Sequence, residues 1–176
     1  MNRHYAPSLW KGLAAGLLGG LAGSWTMNAS QSLMSEIRKR SKSQDSEHDS
    51  SQQQQSSSEE PATVKAARAV SEHLFHHELR DDQKSFAGNV AHYTMGAASG
   101  AVYSAVTVAL PAAPLARGLV FGTALWLIAD EAIVPVFGFS KAPIEYPASR
   151  HGYAWASHLI FGVTADAVRR LALRIV

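Results

Sequence analysis

The sequence predicts an all-α fold: an integral membrane four-helix bundle, with a disordered polar linker and an amphipathic helix between spans 1 and 2. Three observations predict it. Four apolar runs approach the roughly 20 residues that a spanning helix needs. Charge is segregated: ten of the fourteen acidic residues fall between Glu36 and Asp82, and Gln83–Ala129 contains none. A soluble bundle scatters Glu and Lys along every exposed helix face, so acid-free stretches of this length argue for lipid as the solvent. Glycines at 12, 16 and 20, and at 19 and 23, form overlapping G-x-x-x-G spacings, which let helix backbones approach closely in lipid.

Residues 1–8 read as a short polar leader, and Leu9–Met27 as the first span. Residues 32–40 carry that helix out of the membrane and end in a basic cluster, so 1–40 form one unit. Ser41–Glu60 has no aromatic or branched apolar residue, so it buries too little surface to offset its ordering entropy and reads as a disordered linker over 41–60. Pro61–Arg80 reads as a helix with Ala66, Val70 and Leu74 on one face, so 61–84 is assigned to a surface helix that lies on the membrane. Residues 85–176 hold three further spans. Phe86–Leu110 is the second and turns at Pro111 and Pro114. The third starts at Leu115 and is interrupted at Pro135, which has no N–H for the carbonyl of Glu131. Gly152–Arg170 is the fourth, closed by Arg169, Arg170 and Arg174.

Two matches suggest a duplicated helical hairpin. Lys11-Gly-Leu-Ala-Ala-Gly16 resembles Arg117-Gly-Leu-Val-Phe-Gly122, and His92…Gly96 resembles His158…Gly162. A cleaved signal peptide, the rival reading of the first run, would have no reason to resemble the third span.

The third run carries Asp130 and Glu131 side by side near its far end. A carboxylate facing lipid costs on the order of several kcal/mol, so Asp130 is expected to point inward towards a partner. Alternating span directions put the ends of spans one and three at the depth of the starts of two and four. Asn28, Asn89, His92, Asp130, Glu131 and His158 therefore form one candidate polar cluster. Asn89, His92, Gly96, Ser99 and Tyr103 share a face, as do His151, Trp155, His158, Gly162 and Asp166. Three readings stay open: a hydrogen-bonded network that fixes helix register, an Asp–His pair that handles protons, and a divalent-metal site from His92, His158, Asp130 and Glu131. Glu131 is also readable as a headgroup-level residue.

Other chemistry is absent from the pattern. Without cysteine there is no disulfide, Cys-ligated zinc or thiol catalysis. No G-x-S-x-G, P-loop, G-x-G-x-x-G or H-E-x-x-H occurs, so no reaction is read from the chain and an enzyme is the weakest class. No cofactor is predicted. Lys and Arg cluster at the ends of apolar runs, which fits membrane topology and not nucleic acid.

Together K-G-L-x-x-G, H-Y-x-x-G, L-I-A-D-E-x-x-x-P and the final H-x-x-x-G helix resemble the YagU-like family of small bacterial inner-membrane proteins. The resemblance covers most of the chain apart from the linker. It implies an inner-membrane location and architecture more than a mechanism, and adds weight to His92, Asp130, Glu131 and His158. The expected function is a multi-pass membrane protein with a proton-linked or stress-related role. The alternative is a structural or adaptor protein that anchors a partner through the linker or surface helix. The expected partners are the lipid bilayer and a second copy of the chain.

Overall fold

In the computed structural model the described residues are 9–42, 60–109 and 114–175, and among them the chain is helical, without strands. Five helices result: α1 (Leu9–Lys42), α2 (Ala62–Phe75), α3 (Asp81–Ala109), α4 (Pro114–Ile128) and α5 (Ala148–Ile175). The leader 1–8, nearly all of the 41–60 linker and the turn at Pro111 lie outside the described residues.

Backbone-to-backbone contact at small residues sets the packing. α1 lies between α3 and α5, and α4 packs on α5. A Cβ placed on Gly16 or Gly20 would run into the backbone of α3 at Gly100 or Gly96. The same contacts recur between α4 and α5, where Gly118 meets Gly162 and Gly122 meets His158. Packing thus equates Gly16 with Gly118 and Gly20 with Gly122. Sequence matching pairs Gly16 with Gly122, one helical turn away. The sequence match follows the basic residue at the mouth of each run, whereas the helices settle where small residues allow the closest approach.

Between the two hairpins, equivalent positions carry opposite solutions. Gly19 and Gly23 of α1 sit on the backbone of Ala165 and Phe161 of α5. At the corresponding place Phe121 of α4 stacks on Tyr103 of α3, ring centroids 4.2 Å apart. One crossing is tight and the other is held open by two rings. The G-x-x-x-G faces of α1 are therefore occupied within the chain.

The interior holds Met27, Phe161 and Ala165, with Phe121 and Leu125 against them. Ser24, Ser104, Ser157, His158, Asp166 and Arg169 are buried as well. Large apolar side chains face outward instead, among them Leu17, Leu18, Val102, Leu119, Val120 and Ile160.

Two boundaries differ from the sequence reading. α2 stops at Phe75, not Arg80, because His76 takes a left-handed conformation (φ 50°) and ends the helix. α3 then starts at Asp81, with Asp81 and Asp82 in its first turn, where acidic groups favour the helix N-terminus. The expected border at residue 84/85 falls inside α3. On α2 it is Val64 that packs, against Gly88, while Val70 and Leu74 are exposed.

Among the described residues one helical stretch, Arg117–Val136, is long and apolar enough to cross a membrane, and 6% of its apolar window is buried within the fold. The other long helices carry Gly, Ser, His and charged residues that lower their hydropathy below that of a single apolar span.

Candidate functional site

Pro135 shapes the end of α4. It cannot donate to the preceding turn, and the helix widens just before it into a π turn, Ala129–Ile133, in which the Val134 N–H reaches the Ala129 carbonyl. One last turn, Val134–Val136, follows, and Gly138 (φ 73°) reverses the chain. Asp130 and Glu131 both lie in the π turn. Although adjacent in sequence, they address α5 at positions two turns apart.

Asp130 faces His158, with Oδ2 3.7 Å from Nδ1. The His158 Nδ1 also lies 3.0 Å from the Ala154 carbonyl, one turn back on α5, to which it donates. His158 is buried, 7% exposed. His92, from α3, lies within electrostatic range of both Asp130 and His158, and near the Ser24 carbonyl. Its Nε2 is buried without a hydrogen-bond partner. Asp130 of the π turn and His158 of α5 thus meet, with His92 of α3 within electrostatic range of both.

The remaining predicted members do not join them. Glu131 turns to His151, with Oε1 2.6 Å from Nδ1. Asn89 is exposed on α3, and Asn28 is half-buried on α1. Glu131 pairs with His151, and among the described residues no group of three His, Asp or Glu side chains is placed to hold a metal ion. His73, His76 and His77 are exposed on and after α2.

His151 is the residue that sequence reasoning left out of the cluster. Its Nε2 donates to the Pro143 carbonyl at 3.0 Å, so both ring nitrogens face acceptors. A neutral imidazole donates from one nitrogen only, whereas the imidazolium satisfies both. The hydrogen bond to Glu131, with help from the Pro143 carbonyl, pushes the His151 pKa above its ordinary value. The sequence signal was present: His151 lies seven residues before His158 on one helical face.

A cavity of about 230 Å³ opens beside these groups, lined by Asp130, Glu131, His151, Arg150, Lys141 and Tyr146 among others. The Arg150 guanidinium lies 3.8 Å above the Tyr146 ring. The Tyr146 hydroxyl accepts the Lys141 N–H at 3.1 Å.

A second polar layer lies two turns further along α5. Asp166, 1% exposed, is 3.2 Å from Arg169 and 2.9 Å from Arg170. Arg169, 5% exposed, lies over the Tyr103 ring at 5.4 Å. The Tyr103 hydroxyl approaches Asp166 without completing a hydrogen bond. The arginines were read as membrane-edge residues, yet Asp at i with Arg at i+3 and i+4 is also the spacing of a helical ion triad. Met27, Phe161, Phe121 and Leu125 form the apolar cluster of the interior.

No family model, curated protein or solved structure matches this chain. The Asp130 carboxylate stands 3.7 Å from the His158 Nδ1, beyond hydrogen-bond distance, while that nitrogen donates to the Ala154 carbonyl. The Asp166 triad is closed on itself and suits a fixed structural role.

Proposed function

We propose that the chain is a multi-pass protein of the bacterial inner membrane whose four long helices span the bilayer as two related hairpins, with Asp130, His158 and His92 holding a proton that can be exchanged. The observation that carries this reading is the inversion of the fold. Leu, Val and Ile side chains cover the outside of all four long helices, while Ser24, Ser104, His158, Asp166 and Arg169 are buried. In water that arrangement exposes the hydrophobic surface and buries ionisable groups, both unfavourable; in lipid both signs reverse. Trp10 is exposed at one end of α1, and Trp25 and Trp155 are exposed near the depth of Asp130, positions that suit the two interfacial belts. The YagU-like resemblance points to the same location.

Proton exchange is favoured for Asp130 because it pairs with a titratable group and lines a cavity, whereas Asp166 is neutralised by two arginines. The role for the cell is then proton-linked or stress-related.

A second reading is a structural or adaptor protein in which the same groups fix helix register and α2 anchors a partner. The uncovered apolar side chains of α2, Val70, Leu74 and Phe75, favour it. Asp130→Asn and His158→Gln separate the two. The protein, reconstituted in vesicles loaded with a pH-sensitive dye, is expected to move protons, and Asp130→Asn to abolish this at normal membrane abundance. Loss of abundance in both variants, with no dye response from the native chain, would establish the structural reading instead.

A further inference from the structure

We infer that the cavity beneath the loop following α4 is the aqueous vestibule through which Asp130 meets solvent, and that the Glu131–His151–Pro143 bridge is the latch holding that loop over it. The inference rests on the proton reading of Asp130 and supplies its route and its control.

Asp130 is shared by two environments. It lines the cavity, and it faces His158 on the interior side. Glu131, its neighbour, does not compete for the interior, because its carboxylate accepts from His151 at 2.6 Å. The walls are supplied by four pieces of chain: Ala62 at the start of α2, the π turn with Val134 just after it, Ser140, Lys141 and Pro143 from the loop, and Ala154 from α5. Polar groups lie among apolar ones on those walls, which suits water and a small hydrated ion more than a bulky organic ligand.

The loop is shaped by its own contacts. Glu145 Oε1 accepts the Ala142 N–H at 3.2 Å, and Tyr146 holds Lys141. These contacts close the 3₁₀ turn Pro143–Glu145 on its flanking residues. The His151 ring ties it to the π turn, joining the Glu131 carboxylate to the Pro143 carbonyl. A bridge of two charge-assisted bonds across one side chain is strong when complete and is undone by changing either acid or base.

The native chain contains no cysteine, so a single introduced thiol is an unambiguous reporter. Ala154→Cys places it on the cavity wall, and Val134→Cys repeats the measurement from the turn that follows the π turn. Ser149→Cys, on the exposed start of α5, serves as the reference for intrinsic reactivity. The full chain in vesicles is treated with a water-soluble cationic methanethiosulfonate reagent, and rates are expressed relative to position 149. Positions 154 and 134 are expected to react slowly in the native background. In Glu131→Gln and in His151→Gln they are expected to react about tenfold faster, the rate change that corresponds to losing about 1.4 kcal/mol of latch. No reaction in any background would overturn the vestibule. Equal rates with and without the bridge would overturn the latch. Either failure leaves the membrane reading standing, because that reading is judged by vesicle dye response and membrane extraction and not by these thiols.

Discussion

Replacing Gly20 with alanine adds one methyl group where α1 and α3 meet backbone to backbone. That Cβ would lie 2.7 Å from the Gly96 carbonyl carbon and 2.9 Å from the Ala97 Cα. Carbon atoms pack comfortably at about 3.5–4.0 Å, so the two helices must part by roughly 1 Å. A gap of that size forfeits about a quarter to a half of the dispersion attraction of the atoms lining the crossing. Overpacking of this kind typically costs about 1–3 kcal/mol. Gly122→Ala, at the equivalent place between α4 and α5, is expected to fall in the same range, with 2.9 Å to the His158 carbonyl carbon. Gly152 provides the control, since a Cβ there meets nothing within 4 Å. Gly152→Ala is expected to be neutral or to stabilise by up to about 1 kcal/mol through helix propensity. The assay is reversible unfolding of detergent-solubilised protein in increasing SDS, followed by tryptophan fluorescence. If Gly20→Ala and Gly122→Ala are as benign as Gly152→Ala, backbone contact does not set the helix crossings and the packing argument fails.

Further expectations follow from the polar groups. Asp166→Ala leaves Arg169 buried without its counter-ion, and is expected to destabilise by about 3–5 kcal/mol in the same SDS titration. The joint replacement Asp166→Leu with Arg169→Met and Arg170→Met should recover most of that loss, because a buried ion set is replaced by apolar groups of similar volume. Since the folded pKa of His151 is raised, its bridge contributes fully below about pH 6.5, the value of an unpaired histidine, and is lost as pH rises through the elevated folded value. Thermal stability of the native chain relative to His151→Gln is therefore expected to shrink as pH is raised from 6 to 9, and a constant difference would contradict the bridge. In Glu131→Gln the pH dependence should largely disappear.

Much of the fold was legible from apolar runs and charge segregation. Each long helix sits where such a run lies, with Gly and Pro near the turns. The Asp130–His158 contact agrees with the depth argument, since both residues lie a similar distance from the end of their runs. What stayed hidden depended on local backbone geometry or on pairwise packing. The π turn before Pro135 is one answer among several to a missing N–H, and it decides that Asp130 and Glu131 have partners two turns apart on α5. The end of α2 at His76 was hidden because no glycine marks the left-handed residue. The one-turn shift between the hairpins was hidden because sequence similarity follows the basic residues, while packing follows the small ones. Asp166 was assigned to a helix face but not to a site, because the basic residues beyond it were taken to be at the membrane edge.

The most direct test of the central claim is extraction of membranes with alkaline carbonate. The native chain is expected to stay in the pellet and to be released only by detergent, because large apolar side chains are exposed on all four long helices. Release into the carbonate supernatant would contradict it: the outward Leu, Val and Ile side chains would then be covered by protein partners, and the buried Asp130–His158 contact would be an ordinary core pair in a helical assembly.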